Sequence, residues 1–138
     1  MNKLEIITIK KIKTMREIKF KGKQISNGDW IVGDLNHLVD GVYISNDNGN
    51  NMAQVNPDTV GQYTGFLDNN GKEIYEGDII KVAGLGKKIV VRFVRGGFAF
   101  LWNGDLDDEA AINAPTQEWA EVVGNIHDNP KLINRRNG

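Results

Sequence analysis

Short apolar stretches alternate with polar residues at a period of two along most of this chain, and Asn-Gly and Asp-Gly pairs punctuate them. A period of two marks half-buried strands, and Asn and Gly both tolerate the positive φ that a two-residue hairpin turn demands. Asn-Gly stands at 27–28, 48–49, 70–71 and 103–104, and Asp-Gly at 40–41. Between these turns the pattern predicts strands near 16–20, 29–34, 41–45, 60–66, 73–75, 79–83, 87–95, 97–102 and 118–127. Few segments carry a sustained helical period.

The second half shows the pattern most clearly. Ile79 to Val82, then Lys88 to Val94, then Phe98 to Trp102 predict three consecutive antiparallel strands, with Gly84-Leu85-Gly86 and Arg95-Gly96-Gly97 as the turns. Ile89, Val91 and Phe93 fall on one face of the middle strand, and Phe98, Phe100 and Trp102 on one face of the next. Acids at Asp105, Asp107, Asp108 and Glu109, with Pro115 beyond, predict a short helix capped by Asp105. A last strand from about Trp119 to Ile126 returns to close the sheet. The expected plan is mainly β, with a small SH3-like barrel over 68–130.

In the first half, strand 16–20 is expected to pair with 29–32, and a second hairpin to join 30–33 to Val42-Tyr43-Ile44. Asn46 to Asn56 holds five Asn and one Gly and reads as a mobile surface loop. The division expected is an extension over 1–14, a β-rich part over 15–67, the barrel over 68–130 and a tail over 131–138. Residues 1–14 lack the cleavage site of a secretory signal, and Met15 opens a cleaner block. We therefore expect the natural start at Met15, which N-terminal sequencing of protein from its native gene would test.

Composition narrows the function classes. The chain has 138 residues, no Cys and a net charge of −1, which excludes disulfide scaffolds, thiol nucleophiles and cysteine-ligated zinc. No apolar run approaches the ~20 residues of a membrane-spanning helix. Charge is nevertheless uneven: residues 1–23 carry +6, 24–71 carry −6, 72–102 carry +3, 103–128 carry −7 and 129–138 carry +3. Such alternating blocks neutralise one another within a compact domain or across a subunit boundary.

Motifs for chemistry fail on inspection. Gly84-Leu85-Gly86-Lys87-Lys88 has Lys81 where a phosphate loop needs its first Gly, and no Ser or Thr follows Lys87. The acidic stretches from Asp68 and Asp105 place the wrong residues at calcium-loop positions. His37 and His127 have no partner at metal-ligand spacing, and neither Ser26 nor Ser45 sits in a nucleophile elbow. No enzymatic activity, cofactor or metal is expected. Nucleic-acid binding has a candidate surface in Lys81, Lys87, Lys88, Arg92 and Arg95 beside the aromatics of 98–102. The aromatics are better read as core, and the −7 block beside them repels phosphate, so this reading is not favoured.

Three blocks resemble the YopX-like family of bacteriophage and prophage proteins: Met15-Arg16-Glu17-Ile18-Lys19-Phe20, the stretch from Val60 to Ile80, and Val122-Val123-Gly124-Asn125-Ile126-His127-Asp128-Asn129-Pro130. The family's usual Arg and Trp after the opening block are replaced by Lys21-Gly22-Lys23. The resemblance implies a phage- or prophage-encoded protein without catalytic residues that assembles into homo-oligomers. Edge strands of a small barrel and an apolar-poor first half add the expectation of an accessory interaction module, binding itself or a host or phage protein in the host cytoplasm. Within the central block, Asp68 to Gly71 predicts a turn, and Glu76-Gly77-Asp78 a tight bend in which Gly77 takes positive φ and Asp78 accepts backbone N–H groups. Gln62, Tyr63 and Thr64 are its polar exception. They would line a groove for a partner, or Tyr63 would simply pack with its hydroxyl in solvent.

Overall fold

The computed structural model of the chain describes residues 16–84, 86, 88–102 and 117–133, the side chains of Trp102 and Gln117 excepted. Among these residues ten strands form two antiparallel sheets. The first contains β1 (Phe20–Lys23), β2 (Trp30–Leu38), β3 (Gly41–Asn46), β4 (Asn51–Val55), β5 (Gly61–Leu67) and β6 (Glu73–Tyr75), ordered β4-β3-β2-β1-β5-β6. The second contains β7 (Asp78–Val82), β8 (Ile89–Val94), β9 (Gly97–Trp102) and β10 (Ala120–Asn125), ordered β10-β7-β8-β9. The mainly β class is as expected. The helix expected at 105–112 and the 1–14 extension lie outside the described residues.

Turn chemistry sets most of the hairpins. Arg95 (φ 51°) and Gly96 (φ 82°) form the two-residue turn between β8 and β9, both with the positive φ that such a turn requires. Asn48 (φ 55°) and Gly49 (φ 84°) turn the chain from β3 into β4. That strand corrects the mobile loop expected over 46–56. Asn51 to Val55 gains its order from a five-residue backbone ladder with β3 and from burial of Val55, not from a run of apolar side chains.

The first sheet curls strongly. β2 pairs with β1 through Trp30 to Gly33 and with β3 through Asp34 to Leu38, so the chain changes partner at Gly33. A Cβ there would collide with the Ser45 carbonyl oxygen. The curl carries β4 round until Val55 bridges Gln24 at the end of β1, with Ile25 N–H donating to Gln54 O and Asn56 N–H to Lys23 O. Gly22 makes room for this closure: a Cβ on it would stand 3.1 Å from Val55 Cβ and 3.2 Å from Ile44 Cδ1. Ile31, Ile44 and Val55 are buried inside, with Phe20, Leu35 and Val60 against them.

The second sheet is buried on both faces. Ile80, Val82, Ile89, Val91 and Phe100 form one core with Ile74 of β6, while Ile79 and Val90 pack with Ile133 on the opposite face. Among the described residues the barrel expected over 68–130 is instead an open sheet, with β9 and β10 at opposite edges. Its missing strand is β6, which pairs with β5 through Tyr63–Tyr75 and Leu67–Glu73 and so joins the first sheet.

Asp68 anchors that hairpin to the second sheet. Its buried carboxylate accepts N–H bonds from Asn70 (2.8 Å), Lys72 (2.8 Å) and Val122 (3.0 Å). Burial alone would raise its pKa, yet these three donors hold it below the ordinary carboxylate value. The bend at 76–78 follows expectation: Gly77 has φ 93°, and Asp78 Oδ2 accepts the Tyr75 N–H at 2.8 Å.

Candidate functional site

The two sheets meet along a row of lysines. Alternation along β1 and the residue before it puts Lys19, Lys21 and Lys23 on one face, and each reaches a carboxylate from another part of the chain. Lys19 Nζ lies 2.5 Å from Glu73 and 2.6 Å from Glu17. Lys21 Nζ lies 2.8 Å from Asp78 Oδ1, and Lys23 Nζ 2.6 Å from Asp128 Oδ1. Aromatic rings fill the spaces between. Lys21 stands 4.8 Å from the Trp30 ring and 5.0 Å from the Tyr75 ring, and Lys19 stands 5.1 Å from Tyr63. Tyr75 donates its hydroxyl to Glu73 at 3.0 Å, and burial together with that carboxylate pushes its phenol above the ordinary range. Each side-chain carboxylate in this row is ion-paired with a lysine, Glu17 and Glu73 sharing Lys19.

The turn after β10 completes the seam. Asn125 Oδ1 accepts the N–H groups of His127 (3.0 Å) and Asp128 (2.9 Å), folding the chain so that Asp128 faces the first sheet. Asp128 Oδ2 then accepts the Trp30 indole N–H at 2.8 Å and the Asn125 amide at 3.1 Å. His127 tilts against Trp30, with ring centroids 6.0 Å apart. Burial holds its imidazole below the ordinary pKa; Lys21, Lys23 and Arg92 act in the same sense, and Asp128 opposes them. Two clefts flank this turn. One of about 740 Å³ is lined by Lys23, Ile25, Pro57, Asp58 and His127, the other of about 450 Å³ by Lys21, Trp30, Tyr75, Asn125 and Asp128.

The residues singled out from the sequence fall elsewhere. Tyr63 and Thr64 are buried, and Thr64 Oγ1 donates to Ile74 O (2.8 Å) while accepting the Phe66 N–H (3.1 Å). Only Gln62 is partly exposed. Of the basic set, Lys87 lies outside the described residues. Lys81 on β7 is exposed directly across from Glu121 on β10, and Arg95 occupies the exposed β8–β9 turn. Arg92 shares a small cavity with Asp58, Glu76 and His127. The β7–β8 register continues to place Lys88 opposite Lys81 and sets Arg92 four positions further along β8, about 13 Å away. Among the described residues no group of three His, Cys, Asp or Glu side chains has a geometry that would hold a metal ion.

A second surface feature is apolar. Phe98 and Phe100 share a face of β9, Phe93 stacks edge-on against Phe98 at 5.2 Å, and Phe66 meets Phe100 at 6.1 Å. Phe100 is core, whereas Phe66 (45%) and Phe93 (48%) stay exposed. The strip runs beside the β9 edge, where Gly97 to Trp102 carries no charge and no proline.

The resemblance drawn from the three sequence blocks holds at the level of the whole family. The family described as YopX protein matches residues 8–134, and the chain belongs to it. The match starts upstream of Met15 and takes in part of the 1–14 stretch. Among solved structures, the crystal structure of protein EF1440 from Enterococcus faecalis is similar, with a TM-score of 0.51 and 22% identity over 87% of this chain and all of that one. At that identity the likeness is one of fold. No curated protein matches the chain. Among the described residues no helix is long and apolar enough to cross a membrane.

Proposed function

We propose that this YopX-family protein is a phage- or prophage-encoded accessory factor that acts in the host cytoplasm as a non-enzymatic, self-associating interaction module. The observation that carries the reading is the aromatic strip of Phe66, Phe93 and Phe98 beside the β9 edge. Natural sheets blunt exposed edges with charge, proline, bulges or brevity. β10 has Glu121 and a register shift at Val122/Gly124, and β6 has only three residues, whereas β9 has none of these devices. An edge of this kind, next to exposed phenylalanines, favours contact with another protein chain. In the charge row at the sheet junction each lysine is ion-paired with a carboxylate from a distant part of the chain, which suits a structural seam better than a reaction centre.

Sedimentation velocity over a wide concentration range tests the proposal. The wild type should form oligomers that persist at high salt, and a Phe66→Asp/Phe93→Asp variant should sediment as a folded monomer. A wild type that stays monomeric at every concentration, or a variant that associates unchanged, defeats it. Salt-dependent binding of DNA or RNA, weakened by charge reversal at Lys81, Lys88 and Arg92, would instead favour nucleic-acid binding.

A further inference from the structure

The turn at 125–129 contributes to the walls of both large clefts, with different residues in each. Ile126 and His127 line the cleft of about 740 Å³, and Asn125, Asp128 and Asn129 line the one of about 450 Å³. One carboxylate links the two walls. Asp128 holds Lys23, which lines the first cleft, and Trp30, which lines the second. We propose that this turn is a releasable strap: when Asp128 lets go of Lys23 and Trp30, the turn lifts from the first sheet and the two clefts merge into one groove with Trp30 exposed along it.

The contacts divide into those that shape the strap and those that dock it. Its shape is local, set by Asn125 Oδ1 to His127 and Asp128, Asn125 O to the Asn129 N–H (2.8 Å), and Asn129 Oδ1 to the Asn125 N–H (3.2 Å). A strap so built keeps its form when it moves. Its two ends are fixed: Ile126 N–H donates to Gly77 O at 2.9 Å while its side chain packs on the Ile79 and Val90 core, and Ile133 beyond the turn is buried in that same core, so the tip hinges between them with Ile126 as the pivot. Beyond the pivot the docking contacts are Asp128 to Lys23, Asp128 to Trp30, and the His127–Trp30 ring contact. The Lys23–Asp128 pair is about one-third exposed on each side, so water stands ready to replace it. The Lys21–Asp78 pair beneath it is nearly buried and stays closed, so release is confined to the strap. Local openings of this sort draw on regions held by few and solvent-accessible contacts.

Hydrogen exchange on the full chain tests the proposal with two variants, Asp128→Ala and Lys23→Met. Lys23→Met, which leaves the acceptor of the Trp30 indole N–H in place, should speed exchange of that N–H by about tenfold, and Asp128→Ala by at least as much. The Ile126 to Asn129 amides, bonded within the strap or at the pivot, and those of Ile79 and Val90 in the core of the second sheet should stay at wild-type protection. Unchanged indole exchange in Lys23→Met overturns the strap. So does indole exchange that rises only in step with Ile79 and Val90, because the turn would then open only when the whole fold opens.

Discussion

Lys21 and Asp78 form an ion pair of 2.8 Å across the junction of the two sheets, with the Lys21 ammonium lying against both Trp30 and Tyr75. Their side chains retain 15% and 2% of their exposure, so neither partner has water to fall back on. Burial nevertheless raises the Asp78 carboxyl above its ordinary pKa, against the opposing pull of Lys21. Removing one partner of such a pair leaves a buried charge without compensation, and that costs about 3–5 kcal/mol. Lys21→Met should lower unfolding free energy by that amount in urea titration. The double variant Lys21→Met/Asp78→Asn, which keeps an acceptor for the Tyr75 N–H, should be more stable than Lys21→Met alone.

Asp68 gives a pH dependence of defined sign. Its folded pKa lies below the unfolded value near 3.8, so its ionised form stabilises the fold above that pH. This contribution is lost as pH falls from about 3.8 through the folded pKa. Asp68→Asn turns one acceptor oxygen into a donor facing a backbone N–H and should cost about 1–3 kcal/mol at neutral pH. The stability curve of the variant, measured by thermal unfolding from pH 2 to 7, should fall less steeply at the acid end than that of the wild type.

Thr64 distinguishes packing from recognition within the central block. Its hydroxyl serves both Ile74 O and the Phe66 N–H, and Val has the same shape without a hydroxyl. Thr64→Val should cost about 1–3 kcal/mol through the two unsatisfied backbone groups. Folded Thr64→Val protein should associate as the wild type does in sedimentation. A loss of association at unchanged stability would restore Thr64 to a binding role.

Two glycines should respond oppositely to one added methyl group. At Gly33 a Cβ meets the Ser45 carbonyl oxygen of the adjoining strand, while at Gly97 it meets nothing within 4 Å. Gly33→Ala should break the β2 corner and abolish the cooperative unfolding transition seen by circular dichroism. Gly97→Ala should fold with a midpoint close to that of the wild type.

Local chemistry made much of this fold readable. Asn27-Gly28, Asp40-Gly41, Asn48-Gly49 and Asn70-Gly71 all fall at or beside turns, where each Gly takes positive φ and, of the residues before them, Asn48 does too. The β7–β8–β9 meander was legible for the same reason. β4 was hidden because its order comes from a ladder with β3, and its Asn and Gln side chains carry no apolar signal. The seam was hidden too. Lys21 looks like an ordinary surface lysine, and its partner lies 57 residues away. The polar run Gln62-Tyr63-Thr64 pointed outward by composition, yet Tyr63 and Thr64 turn inward, where Tyr63 packs on Tyr75 at 5.5 Å and Thr64 closes a backbone gap. A signal for the strap lay in Asn125 and Asp128, three residues apart and bonded to each other, though only the fold shows that Asp128 accepts the Trp30 indole N–H.

The contact of Gly22 with Val55 and Ile44 ties three positions on three strands into a single volume. A methyl group on Gly22 requires Val55 or Ile44 to give way by a few tenths of an ångström, so a change at one of the three positions is felt at the other two. Gly22→Ala alone should lose stability, and Gly22→Ala with Ile44→Val should regain part of it, so the first sheet can change its lining only by coordinated steps.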